Sequence, residues 1–190
     1  MPDRLTSSPE VAAVPYVHPL DDFYARAGLR LPAMERISGD EVPEPYHSLL
    51  VHDNDMTPTL EKFHNAEIHL LILDRVQRDG FYFRQVVLQL NGSDKPVEFG
   101  ANKVNLNLFP PKARQTILEE RVPLGRILKD CSIQHSTQAK AFLRVMADER
   151  IARALNLPVS AALYGRRANI LDPQRRPLSE IVEILPLVTG

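Results

Sequence analysis

Three strand-like stretches separated by tight turns constrain this chain more than any other feature. They are EIHLLILDRVQ (67–77), FYFRQVVLQL (81–90) and KPVEFGANKVNLNLF (95–109). Arg78-Asp79-Gly80 joins the first two, and Asn91-Gly92 turns the chain toward the third. Asp-Gly and Asn-Gly pairs suit the backbone angles of hairpin turns, so the spacing predicts an antiparallel meander.

Helices and further strands surround that meander. One helix is expected around Leu20 to Gly28, within a stretch to Pro45 otherwise broken by prolines and charges. A second opens at Asp55 or Thr57, either of which can cap it, with Met56, Leu60 and Phe63 on one side. Pro110-Pro111 starts a helix running through Glu120, and VPLGRIL (122–128) follows it. A strand near 139–145 leads into a helix at about 147–157, where Ile151, Ala154 and Leu155 recur at helical spacing. Strands at 162–171 and 178–186, linked by Asp172-Pro173-Gln174, finish the chain. Strand runs without regular βαβ alternation mean α+β, with a single mostly antiparallel sheet of about six strands flanked by helices. Residues 1–14 read as a flexible leader and 15–190 as one domain.

Composition removes several classes of function. A net charge of −1 argues against nucleic acid as a bulk electrostatic partner. Cys131 is the single cysteine, which excludes an intramolecular disulfide and a cysteine-built zinc site and suits a reducing cytoplasm. His52, His64, His69 and His135 lack metal-ligand spacing, and no glycine-rich phosphate loop or nucleophile elbow occurs. No stretch approaches the roughly 20 apolar residues of a membrane span. The expectation is a cytoplasmic protein, a monomer or weak homodimer, that needs neither metal nor cofactor and acts on a small anionic molecule.

The chemistry is expected at Arg84. In a strand Tyr82, Arg84, Val86, Leu88 and Leu90 share one face, so this arginine sits inside an apolar row. A guanidinium cannot shed its charge and is costly to bury alone, so it needs an anion. That anion is a protein carboxylate, as in an internal ion pair, or a ligand carboxylate; a solvated Arg84 is the third case. The last strand raises the same question, because Glu180 shares a face with Leu178, Val182 and Ile184, and Glu183 with Ile181 and Leu185. A carboxyl forced inward there gains a raised pKa and can hold a proton, whereas an exposed edge glutamate cannot serve so. Arg166 and Arg167 point to opposite faces of their strand, one toward solvent and one toward a carboxylate partner.

These segments resemble, in order, those of the bacterial chorismate lyase family over about Leu49 to Pro186. LLVHDNDMTPTLE resembles the segment in which D-x-M-T opens a helix, and FYFRQVVLQLNG the strand bearing the family's arginine. VPLGRIL is similar to its P-L-G-R-x-L, LYGRRANI to its L-W-G-R-R-S strand, and EILP to its glutamate-bearing final strand. The resemblance implies an internal, flap-covered site and elimination of pyruvate from chorismate to give 4-hydroxybenzoate, without metal or cofactor. It assigns a substrate carboxylate to Arg84 and an N–H contact to Leu124. Met56 and Thr57 would line the substrate, and Gly100 would let a flap approach it. The last-strand glutamate would be the acid. An ungapped count from Pro177 or Pro186 puts Val182 at that glutamate's place. Glu183 fits after a one-residue shift, for which a bulge gives room, and Glu180 is the fallback. The family often has an arginine after the flap glycine where this chain reads Ala101; either Lys103 compensates or the pocket prefers a less highly charged ligand, and Arg167 is a further expected substrate-binding residue.

Three readings follow. The first is a chorismate lyase, and the second is an enzyme of the same fold acting on another carboxylate or polyketide-like substrate. The third is a small-molecule effector-binding module. Such modules in transcription regulators follow a helix-turn-helix domain, for which the short proline-rich N-terminus leaves no room, so this reading ranks last.

Overall fold

The computed structural model describes residues 16–188, and the leader expected at 1–14 lies outside them. Seven strands form one sheet: β1 (Met34–Ile37), β2 (Ile68–Arg78), β3 (Phe81–Leu90), β4 (Pro96–Asn105), β5 (Ser136–Met146), β6 (Ala162–Leu171) and β7 (Pro177–Leu185). Their order is β1-β5-β6-β7-β4-β3-β2, and every neighbouring pair is antiparallel. The expected meander is β2-β3-β4, with Asp79 and Gly80 at positive φ in its first turn. The strand beyond the expected six is β1, which lies in the proline-broken stretch and pairs with β5.

Among the described residues six α-helices cover the two faces: α1 (Leu20–Arg26), α2 (Tyr46–Leu50), α3 (Met56–His64), α4 (Pro111–Leu118), α5 (Leu124–Asp130) and α6 (Glu149–Leu155). On one face Leu20, Phe23 and Tyr24 of α1 and Ile151 and Leu155 of α6 pack on Phe83, Phe99 and Leu143. The other face carries two separate apolar clusters. In one, Leu49, Leu50, Met56 and Leu60 from α2 and α3 meet Val86 and Leu88. In the other, Ile117, Leu124, Ile127 and Leu128 from α4 and α5 meet Tyr82, Val104 and Ile181. Burying a large aliphatic side chain is worth about 1.5–3 kcal/mol, so each cluster holds its helices firmly. A polar seam runs between the clusters, and the candidate site lies there.

Strand register decides which polar residues reach that seam. Arg84 pairs with Asn102, which pairs with Ile181 of β7, while Val86 pairs with Gly100, which pairs with Glu183. All six therefore face the same side of the sheet. The β6–β7 ladder is irregular between Ile170 and Leu171, just beyond Pro177. This is the bulge that a one-residue shift requires, and Val182 turns away into the opposite core.

Candidate functional site

A small cavity of about 40 Å³ sits in the seam. Met56 and Thr57 of α3, Leu124 and Gly125 of α5, and Arg84, Glu98 and Glu183 of the sheet are among its lining residues. Thr57 and Gly125 also line a solvent-open groove of about 980 Å³ on the outside, so a single layer of side chains separates the two. A Cβ on Gly125 would lie 3.2 Å from the Thr57 Cβ, which measures how closely α3 and α5 abut there.

Arg84 is 1% exposed, and its Nε and Nη1 have no hydrogen-bond partner among the described residues. Burial pulls its pKa down to about 10, so it stays charged at neutral pH. The acidic group that acts on it electrostatically, Glu120, is already taken. Its carboxylate accepts from the Tyr82 hydroxyl and pairs with Arg75 at 2.8 Å. The buried charge thus faces the cavity without a dedicated counter-ion.

Glu183 is also buried, and Arg166 Nε donates to its carboxylate at 2.6 Å. Arg166 is fully buried and reaches on to the His52 and Asn54 carbonyls at 2.8 and 2.9 Å, tying β6 to the chain just ahead of α3. Burial and then the Arg166 charge lower the pKa of His52, which stays neutral against this guanidinium.

Glu98 is the residue that sequence reasoning missed. It is 4% exposed, lines the cavity and leaves Oε2 without a partner. Burial, reinforced by the negative charge of Glu183 and opposed by Arg166, raises its pKa well above the ordinary carboxylate value. Gly100 gives it room, because a Cβ there would stand 2.9 Å from Glu98 Oε1. The flap glycine of the resemblance thus makes the space in which a second carboxyl lies.

Three expected residues do not reach the cavity. Lys103 pairs with Glu180 at 3.0 Å, and Arg167 Nη2 donates to the same glutamate at 3.2 Å. Alternation places all three on the sheet face opposite Arg84, where Arg167 also donates to the His18 carbonyl. Lys103 therefore does not make good the missing flap arginine, and Glu180 does not replace Glu183. Asp55 precedes α3 as expected, yet its side chain makes no cap bond. It accepts instead from Thr137 at 2.5 Å and pairs with His135 at 2.7 Å, pinning the start of α3 to β5. Among the described residues no cluster of side chains is suited to a metal ion, and no helix is long and apolar enough to cross a membrane.

No family model matches this chain, and no curated protein matches it in sequence. Solved structures do. PhnF from Mycobacterium smegmatis aligns over 87% of this chain and 92% of its own, at 10% identity and a TM-score of 0.52. The separately solved effector domain of PhnF aligns over 69% and 87%, at 12% identity and a TM-score of 0.51. The possible transcriptional regulator YydK from Bacillus subtilis aligns over 66% of this chain, at 8% identity and a TM-score of 0.51. The chain spans 64% of the length of YydK. At these identities the likeness is one of fold: a single antiparallel sheet flanked by helices, of the chorismate lyase-like kind.

Proposed function

We propose that the cavity is a binding site for a small organic acid whose carboxylate is held by Arg84, and that the chain serves as a ligand-binding domain. The observation that carries this reading is a buried guanidinium that lines the cavity, with two donors unpartnered among the described residues. A carboxylate answers both the charge and the donor geometry. The fold shared with the effector domain of PhnF supports the same reading. The cavity has room for about three waters, so a ring acid needs its walls to move apart, and Thr57 and Gly125, which also line the outer groove, are where they are thinnest. Calorimetric titration with benzoate, 4-hydroxybenzoate and pyruvate tests it. At least one acid is expected to bind the wild type and to be lost in Arg84→Met. Binding unchanged in that variant would place the site elsewhere.

A second reading, the elimination of pyruvate from chorismate, is favoured by a separate observation. Met56, Thr57, Arg84, Leu124 and Glu183, which the resemblance assigns to that chemistry, converge on this one cavity from four distant segments. Incubation with chorismate, following 4-hydroxybenzoate and pyruvate by chromatography, tests it. Stoichiometric release of both that depends on Arg84 supports catalysis, and release no faster than the spontaneous background sinks it.

A further inference from the structure

Glu98 has no role in the resemblance and its Oε2 has no partner among the described residues, yet it is buried beside Glu183. The two carboxyls differ in what they can offer. Arg166 Nε donates to Glu183, so the Glu183 carboxyl already serves as an acceptor. No cation is paired with Glu98, and a carboxyl enclosed without one keeps its proton and donates. One donor and one acceptor thus stand side by side at a fixed distance from Arg84. The Glu183–Gly100 row lies one same-face step from the Arg84–Asn102 row, about 7 Å along the strands. That is the scale of a six-membered ring with substituents at opposite ends.

We infer that Glu98 is a specificity-determining residue that donates a hydrogen bond to an oxygen at the end of the ligand opposite its carboxylate, with Glu183 as the acceptor beside it. This rests on Arg84 as the carboxylate anchor. A hydroxyl fits best, since it accepts from Glu98 and donates to Glu183. An amino group offers donors only and meets one acceptor, and a bare C–H meets neither need.

The test is calorimetric titration of the full chain with 4-hydroxybenzoate, 4-aminobenzoate and benzoate, using the wild type, Glu98→Gln and Glu98→Leu. The wild type is expected to prefer 4-hydroxybenzoate over benzoate by about tenfold, the worth of one net hydrogen bond, with 4-aminobenzoate between them. Glu98→Leu should cut the preference to the level that 4-aminobenzoate shows in the wild type, because donation to Glu183 remains, and leave benzoate within about threefold. Glu98→Gln should keep most of it, because the amide still donates. A preference undiminished in Glu98→Leu overturns the inference. So does a wild type that binds benzoate through Arg84 but does not distinguish the three acids, an outcome that leaves the anchor standing. If no acid binds the wild type, the anchor and the inference fall together.

Discussion

Replacing Arg84 with methionine separates a residue kept for a ligand from one kept for the fold. The guanidinium is buried, and two of its donors find no acceptor among the described residues. A buried unsatisfied donor costs on the order of 1–3 kcal/mol, and more when charged. Two such donors therefore cost a few kcal/mol, less whatever water in the cavity returns. Methionine keeps the unbranched stem, leaves nothing unsatisfied and packs beside Met56 and Leu124, which line the same space. Ligand-free Arg84→Met is expected to equal the wild type or exceed it by roughly 1–3 kcal/mol, as when buried ionic groups elsewhere give way to apolar ones. In a domain of this size each kcal/mol moves Tm by about 2–4 °C. The same variant should lose its response to acids, where a ligand at 100 times Kd stabilises the wild type by about 2.7 kcal/mol. Urea unfolding with and without benzoate reads both quantities. A ligand-free variant less stable than the wild type by more than about 2 kcal/mol would refute the reasoning, because the wild-type arginine would then be adequately compensated by the fold itself.

Three further perturbations probe the surroundings. Glu183→Gln removes one partner of a buried ion pair and should cost about 3 kcal/mol in urea unfolding, whereas Glu180→Gln, in a partly exposed cluster, should cost less than about 1; equal costs would contradict the assignment of faces. Burial opposes protonation of His135, but the Ile133 carbonyl and Asp55 outweigh it and raise its pKa. The stability it contributes is therefore full below the unfolded histidine value of about 6.5 and fades as pH rises through the higher folded value. The stability gap between wild type and His135→Ala should narrow across that rise, and a gap that widens would reverse the sign of the Asp55 latch. Gly100→Ala places a methyl 2.9 Å from Glu98 Oε1 but 3.4 Å from the nearest backbone atom. It should displace the carboxyl, preserve the fold and reduce the preference for 4-hydroxybenzoate in the same titration.

How legible each part was in the sequence depended on how far the information had to travel. The meander was plain because turns and alternation are local, and Arg84 followed from parity within a single strand. Glu183 needed more, since its face depends on the irregularity that begins β7, and only the pairing of β6 with β7 exposes that. The choice between Arg166 and Arg167 turned on the same pairing, which sets Arg166 opposite Glu183 and Arg167 opposite Val182. Glu98 was overlooked because a glutamate between Val97 and Phe99 reads as the solvent side of an alternating strand. The signal was present nonetheless. Glu98 alternates with Gly100 and Asn102, and the β3–β4 register sets those three against Leu88, Val86 and Arg84. β1 had no comparable signal, being four residues long among prolines.

The charges in the seam limit what kind of acid it accepts. Arg166 and Glu183 pair with each other, burial pushes the pKa of Glu98 upward, and Arg84 has no hydrogen-bonded counter-ion among the described residues. A monoanion completes the balance without moving a proton. A dianion of the chorismate type leaves one negative charge over, and burying it unpaired would be costly. Its second carboxylate therefore has to rest outside the wall formed by Thr57 and Gly125, in the groove where Arg126 and Lys129 lie. Arg126 is already engaged there by Glu61. On the proposed reading the cavity suits a single carboxylate with a neutral polar end better than a dianion. The lyase reading requires that outer groove to act as part of the site.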